Sequence, residues 1–148
     1  MQPSDIGMTR DLVERVFQQF EAPDYVPEGV AEFLKYIDLA AIEGRQQEGN
    51  HFILVCRFRD QVVGMIEMRD FQHICLLFVD SAYQRKGIAH RLLKDAKQRC
   101  LEHDPSLEKL SVNSSPFAIP VYERLGFHAV QEEQLVNGIR YTPMELQL

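Results

Sequence analysis

From His73 to Val79 the chain reads His-Ile-Cys-Leu-Leu-Phe-Val, then crosses the short stretch Asp80 to Gly87 and at once begins a helical pattern at Ile88. A nearly continuous apolar run of this length predicts a strand in the middle of a sheet with both faces covered. Ile88, Leu92, Ala96 and Cys100 form an i+4 row, with Ala89 and Leu93 beside it, which predicts a helix ending around His103 to Pro105. A strand, a tight basic turn and a helix start together make an anion site. The first N–H groups of the helix lack partners, and its dipole places partial positive charge there. Gly87 lets a backbone approach a phosphate, and Ala89 keeps the next contact small. A nucleotide-triphosphate loop needs Lys and Ser or Thr after its last glycine, where Ile88 and Ala89 stand here, and a dinucleotide fingerprint needs three spaced glycines.

The rest of the chain supplies the sheet and its cover. Leu12, Val13, Val16, Phe17 and Phe20 recur at helical spacing from Thr9 to about Glu21, with Thr9 as the expected N-cap and Asp11 in the first turn. Pro23 and Pro27 bracket the acidic, aromatic stretch Glu21, Asp24, Tyr25 and Glu28. A second helix starts near Pro27, where Val30, Phe33, Leu34 and Ile37 repeat at i, i+3, i+4 and i+7. Glu43 to Asn50, polar with two glycines, reads as a loop. Phe52 to Phe58 and Val62 to Met68 flank the turn Arg59 to Gln61 as a hairpin, and the second strand pairs with the His73 run through Arg69 to Gln72. Lys109 to Asn113 is a short strand and Phe117 to Leu125 a helix stopped by Gly126. Phe127 to Leu148 forms two strands about a turn at Asn137 and Gly138. Strands that meet first as hairpins and later through helices predict one α+β domain over residues 1–148. Its sheet is mixed, largely antiparallel, of six to seven strands, and flanked by about four helices.

Composition narrows the function classes. The 148 residues are 45% hydrophobic and 26% charged, ordinary for a globular domain, and no apolar run approaches the roughly 18 residues of a membrane span. Met1 to Met8 has no basic residue before its first apolar positions and no apolar core, so no secretory signal and a cytoplasmic location are expected. Cys56, Cys75 and Cys100 are odd in number and widely spaced, which suits neither a disulfide framework nor a zinc site. No metal is expected, and the three are read as small buried hydrophobes. Residues 1–50 carry ten acidic and four basic side chains, residues 51–148 twelve of each, so the net charge of −6 lies wholly in the first third. Gln84 to Arg99 gathers six basic side chains against Asp95 alone. A nucleic-acid module using that basic helix is disfavoured by the acidic total and the lack of a second basic face.

Gln84, Lys86, Gly87, Ile88 and Ala89 resemble the Q/R-x-x-G-x-G/A pyrophosphate loop of the GNAT superfamily of acetyl-CoA-dependent N-acetyltransferases, and the apolar strand ending Phe78, Val79 precedes it as in that family. Downstream, Ala118 to Phe127 reads A-I-P-V-Y-E-R-L-G-F, similar to the A-x-x-x-Y-E-K-x-G-F ending of the superfamily. The resemblance extends to the element order over nearly all of the chain. It departs in two places: an initial strand ahead of the first helix is not visible in Met1 to Gly7, and Ser115 stands where many relatives have Asn, leaving that contact to Asn113 or missing.

The resemblance implies a GNAT-like acyl-CoA N-acyltransferase fold, acetyl-CoA as cosubstrate, and direct attack of an unprotonated primary amine on the thioester without a covalent enzyme intermediate. The protein then acts mainly by holding the reactants together and polarising the carbonyl. On this reading Phe78, at the splayed end of its strand, supplies the N–H for the thioester oxygen. Val79 and the N–H groups of Gln84, Arg85, Lys86, Gly87, Ile88 and Ala89 hold the cofactor, and Tyr122 protonates the departing thiolate. The base stays open between Glu67, His73 and an ordered water, and Cys75 has no part as a nucleophile. The acceptor side falls on the first two helices, so Glu21, Asp24, Tyr25 and Glu28 are expected to attract a small cationic amine such as a polyamine or an amino-sugar. A catalytically silent acyl-CoA-binding regulatory domain is the competing reading. The C-terminal edge strands leave a homodimer open.

Overall fold

The computed structural model describes Met1 to Leu148. Its elements in chain order are α1 (Ile6–Val16), α2 (Pro27–Tyr36), α3 (Leu39–Gln47), β1 (His51–Phe58), β2 (Gln61–Arg69), β3 (His73–Val79), α4 (Ile88–His103), β4 (Lys109–Ser114), α5 (Ile119–Arg124), β5 (His128–Ala129), β6 (Gln134–Val136) and β7 (Ile139–Gln147). The strands form a seven-stranded sheet in the order β1-β2-β3-β4-β7-β5, with β6 paired to β7. Every pairing is antiparallel except β3 with β4. The mixed, largely antiparallel α+β sheet expected from the sequence is present. No helix is long and apolar enough to cross a membrane.

Helices cover both faces because both faces are apolar. Val62 to Met68 of β2 are buried without a break. On one face Leu12, Val13 and Phe17 of the first helical segment and Ile42 of α3 pack on Ile53, Met65 and Phe78. On the other, Leu92, Leu93 and Ala96 of α4 and Tyr122 of α5 pack on Ile66, Ile74 and Val112. Each of the larger aliphatic, Met and Phe side chains among these contributes roughly 1.5–3 kcal/mol of hydrophobic stabilisation. Cys100 is buried, and Cys56 and Cys75 are half-buried.

Three local readings are corrected. The first helix begins before Thr9, which is buried within α1. Its start is fixed by Asp5, which accepts from the Gln2 N–H (2.8 Å) and pairs with Arg57 of β1, and neither partner shows in a local pattern. The stretch 43–50 is not all loop, because α3 runs to Gln47 with Ile42 as its one buried residue. It lacks an apolar stripe, and Arg45 ties it to the sheet through Glu67 instead. The C-terminal segment forms three strands, since the two-residue β5 pairs with Glu145 and Met144 of β7 ahead of the hairpin. The hairpin turn itself falls at Asn137 and Gly138, both at positive φ (52° and 77°) as a tight two-residue turn requires.

Gly64 of β2 is where α4 comes down on the sheet. A Cβ there would lie 2.8 Å from Ile88 Cγ2 and 3.3 Å from Leu92 Cδ1. Gly64→Val should therefore push the start of α4 off the sheet and destabilise the protein by about 1–3 kcal/mol, measured by urea unfolding. An unchanged midpoint would mean that the helix start is not held by this contact.

Candidate active site

Pairing between β3 and β4 covers only His73↔Ser111 and Ile74↔Val112. The cause lies one residue further on. Met68 of β2 faces Ile74 and Glu67 faces Leu76, so Cys75 is an extra residue bulged out of the ladder. The bulge switches the phase of the strand. Before it, the Gln72 carbonyl accepts from the Ser111 N–H on the β4 side (3.0 Å); after it, the Asp80 N–H donates to the Val63 carbonyl on the β2 side (2.8 Å). Peptide groups alternate along a strand, so the Phe78 N–H also turns to β2, and those of Leu77 and Val79 turn into the gap left by β4. The Phe78 N–H, expected from the sequence to be free, is therefore used against β2, and the N–H groups facing the gap are those of its two neighbours. Side chains follow the same switch: Ile74 and Leu77 pack on the α4 side, Leu76 and Phe78 on the α1 side.

Beyond Val79 the chain is stitched into a fixed turn. Asp80 Oδ1 accepts from the Ala82 N–H (2.9 Å), its Oδ2 meets Arg15 (2.6 Å), and Gln84 Nε2 donates to the Val79 carbonyl (3.1 Å). Arg85 and Gly87 take left-handed conformations (φ 62° and 81°), and Gly87 caps α4 with no side chain closing its first turn. The opening N–H groups of a 16-residue helix are thus left for a ligand. A cleft of about 410 Å³ follows this turn. Phe78, Val79, Gln84, Arg85, Gly87, Ile88 and Ala89 line it, and so do Tyr83, His90 and Arg124, which the sequence reading missed. Lys86 does not line it; its ammonium sits 5.5 Å over the Tyr83 ring.

Tyr122 is held by the end of α5. The Phe127 N–H bonds to the Tyr122 carbonyl and the Gly126 N–H to the Glu123 carbonyl (both 3.0 Å), with Gly126 left-handed at φ 101°. This double closure is a Schellman cap, and its customary apolar contact is the edge-to-face pair of Tyr122 with Phe127 at 5.5 Å. Burial raises the Tyr122 pKa well above the phenol range, with the Glu21 carboxylate adding to it.

A second cleft, of about 360 Å³, opens on the other side of β3. Its floor carries an aromatic chain: Phe33 stacks on Phe17 at 3.9 Å, Tyr25 meets Phe17 edge-on at 5.1 Å, and Phe33 approaches Phe78 at 6.0 Å. The β6–β7 turn closes over it, so near α2 that a Cβ on Gly138 would lie 2.7 Å from the Gly29 nitrogen, while Arg140 Nη2 donates to the Asp24 carbonyl (3.0 Å). Of the acidic stretch, Glu21 and Tyr25 line this cleft; Asp24 and Glu28 are exposed and do not. Glu32, one helical turn past Glu28, lines it instead, together with Arg69, His73 and Ser115. Asn113 also belongs to this cleft and not to the one along the Gln84 turn. Burial, helped by Arg69, lowers the His73 pKa to about 4, so its ring is neutral at pH 7, with Nδ1 2.8 Å from Ser111 Oγ. The two clefts meet at Glu21, Leu77, Phe78, Ala118 and Tyr122, which line both.

Glu67 is reached by neither cleft. It is fully buried, and Arg45 grips it with two bonds, Nε to Oε2 at 3.0 Å and Nη2 to Oε1 at 3.2 Å. His51 Nδ1 stands 3.2 Å from Oε2. Arg45 in turn donates to the Tyr36 carbonyl (2.7 Å) and lies 3.7 Å over the Tyr36 ring. The acidic interruption in an apolar strand, read from sequence as a candidate base, is here a buried ion pair joining β2 to α2 and α3. His51, Glu67 and Cys75 stand within 4.8 Å of one another, but the guanidinium already supplies the positive charge at that point.

The acetyltransferase (GNAT) domain family matches residues 21–148. The Escherichia coli K12 protein described as the uncharacterized N-acetyltransferase YafP is 29% identical over 136 residues, 90% of this chain and 82% of that protein. Among solved structures, a GCN5-related N-acetyltransferase from Rhodopseudomonas palustris superposes with a TM-score of 0.82 at 20% identity, covering 100% of this chain and 92% of that one. The PaiA N-acetyltransferase from Thermoplasma acidophilum, solved in complex with coenzyme A, gives 0.80 at 14% identity, covering 100% and 96%.

Removing one partner of a buried ion pair strands the other charge. Arg45→Met should destabilise the protein by about 3–5 kcal/mol, and Arg45→Met with Glu67→Met should recover most of that loss. Chemical unfolding of the three proteins checks it; equal losses in the single and double variants would show that the pair does not act as a unit.

Proposed function

The chain belongs to the GNAT acetyltransferase family, and on that premise we propose that it moves an acetyl group from acetyl-CoA to a small cationic primary amine by direct attack. The observation that carries this reading is the meeting of two clefts at the gap between β3 and β4. One cleft suits a pyrophosphate: the free N–H groups of the α4 start, the left-handed turn at Arg85 and Gly87, and the positive side chains of Arg85 and Arg124 converge on it. A thioester reaching from there to the gap meets the unpaired N–H groups of Leu77 and Val79, which suits stabilisation of a developing oxyanion. The other cleft suits the acceptor. Two carboxylates, Glu21 and Glu32, face it against the single cation Arg69, because His73 stays neutral, and a volume of about 360 Å³ is of small-molecule size.

Tyr122 stands where the two reactants would touch and keeps its proton at neutral pH, so it is assigned as the acid that protonates the CoA thiolate. A screen of polyamines, amino-sugars, amino acids and peptide N-termini by CoA release, with the acetylated product weighed by mass spectrometry, tests the reaction. Binding of acetyl-CoA without release in the presence of any amine would favour the silent acyl-CoA-binding reading.

Two variants test the parts. Gly87→Glu meets no protein atom within 4 Å at its Cβ but forces a side chain into φ 81° and puts a negative charge at the helix start. Acetyl-CoA affinity by calorimetry should fall by roughly tenfold or more, and unchanged affinity would place the cofactor elsewhere. Tyr122→Phe should slow the chemical step by about 10² to 10⁴ with little change in acetyl-CoA affinity; an unchanged single-turnover rate would leave Tyr122 as a packing residue.

A further inference from the structure

The first helix does not end as it begins. After Val16 it widens into a π-turn, Phe17–Glu21, in which the Ala22 N–H bonds back to the Phe17 carbonyl, and then tightens into a 3-10 turn at Ala22–Asp24. A π-turn is uncommon and concentrates at functional sites. Here the residue that ends it is Glu21, the only carboxylate that lines both clefts. Three buried or half-buried carboxylates have a cation of their own: Asp5 has Arg57, Glu67 has Arg45 and Asp80 has Arg15, whereas Glu32, on the acceptor cleft alone, has no such partner. Glu21 has none.

Resting on the acetyl-transfer reading above, we propose that Glu21 is the base that takes the proton from the acceptor ammonium and holds that nitrogen at the thioester. An amine arriving as a cation must shed a proton before its lone pair can attack. Glu21 offers a charge to attract it and an empty site for that proton at the one place where both reactants meet. The step balances. One ammonium proton passes to the Glu21 carboxylate, the C–N bond forms as the C–S bond breaks, and the thiolate takes the Tyr122 proton. The newly acylated nitrogen sheds a second proton, which restores Tyr122, and Glu21 releases its own to solvent. The products are the acetamide, CoA thiol and one proton.

The surroundings favour this work. Around Glu21 stand Asp24 and Tyr25 from the turn that follows it, the Ser115 hydroxyl, and Tyr122 from α5. The acceptor cleft adds Glu32, Arg69 and neutral His73, and the other cleft adds Arg85, His90 and Arg124. Burial raises the Glu21 pKa, Asp24 adds to the rise, and the Ser115 hydroxyl partly opposes it, which brings the carboxylate toward the range of an effective base. This has a consequence for stability. A carboxylate whose folded pKa lies above its ordinary value of 4.5 destabilises the folded state once it ionises. The loss is absent at pH below the ordinary value and complete above the folded one.

Glu21→Gln tests the assignment in two readouts. With the best amine from the screen, kcat/KM should fall by roughly 10² to 10³ at pH 7. The deficit should narrow as pH rises toward the amine pKa near ~10, where free amine no longer needs a base. The same variant should melt at a higher temperature than the parent at pH 8, with the gap closing as pH is lowered toward 4.5. A residue that merely supports the fold would lose activity and thermal stability together, and that result overturns the proposal. So does a variant that turns over within about threefold of the parent with the same pH profile. A parent that releases CoA with no amine overturns the acetyl-transfer reading and this assignment with it, whereas an active parent matched by Glu21→Gln overturns the assignment alone.

Discussion

One extra residue in β3 decides where the central sheet opens. Without the bulge at Cys75, β3 and β4 would pair along their whole length and every N–H of the central strands would be used inside the sheet. With it, pairing stops at Ile74, the strand changes phase, and two N–H groups are turned into a gap with apolar walls. Everything else in the site is arranged around that gap. The Asp80–Arg15 and Gln84–Val79 contacts fix the turn that follows β3, Gly64 lets α4 settle beside it, and the Schellman cap of α5 brings Tyr122 to its edge.

The carboxylates divide by what faces them. Glu67, with Arg45, His51 and Tyr36 around it, is neutralised and sealed, and its role is to fasten the polar helix α3 to the sheet. Glu21, similarly close to the sheet but opposite no cation, remains available to a ligand. Burial alone therefore does not mark a reactive carboxylate; burial without a counter-charge does. Glu32, on the cleft face of α2, differs from Asp24 and Glu28 by exposure instead, since those two point to solvent.

The main features of the fold were legible because they rest on local patterns. The apolar run of β3, the i+4 row of α4, the Gly126 stop and the Asn137-Gly138 turn each write a periodicity or a backbone requirement into a few neighbouring residues. What escaped depends on residues far apart in the chain. Helix α3 has no apolar stripe and is held by a salt bridge to a strand 22 residues on. The turn of the Phe78 N–H toward β2, and of the Leu77 and Val79 N–H groups toward the gap, follows from a register change that no composition of β3 announces. The π-turn at Phe17–Glu21 has no residue signature, so Glu21 read as one member of an acidic stretch. Glu32 was within reach, since Glu32 and Tyr36 stand i, i+4 on one face of the helix that starts near Pro27.

Amide hydrogen exchange at single-residue resolution tests the gap most directly. In the free protein Leu77 and Val79 should exchange quickly and Phe78, bonded to β2, slowly; saturating acetyl-CoA should protect Leu77 or Val79 and leave Phe78 unchanged. Slow exchange at all three residues in the free protein would mean that β3 and β4 are paired through the site. Fast exchange at Leu77 and Val79 that persists with acetyl-CoA bound would mean that the thioester is held somewhere else.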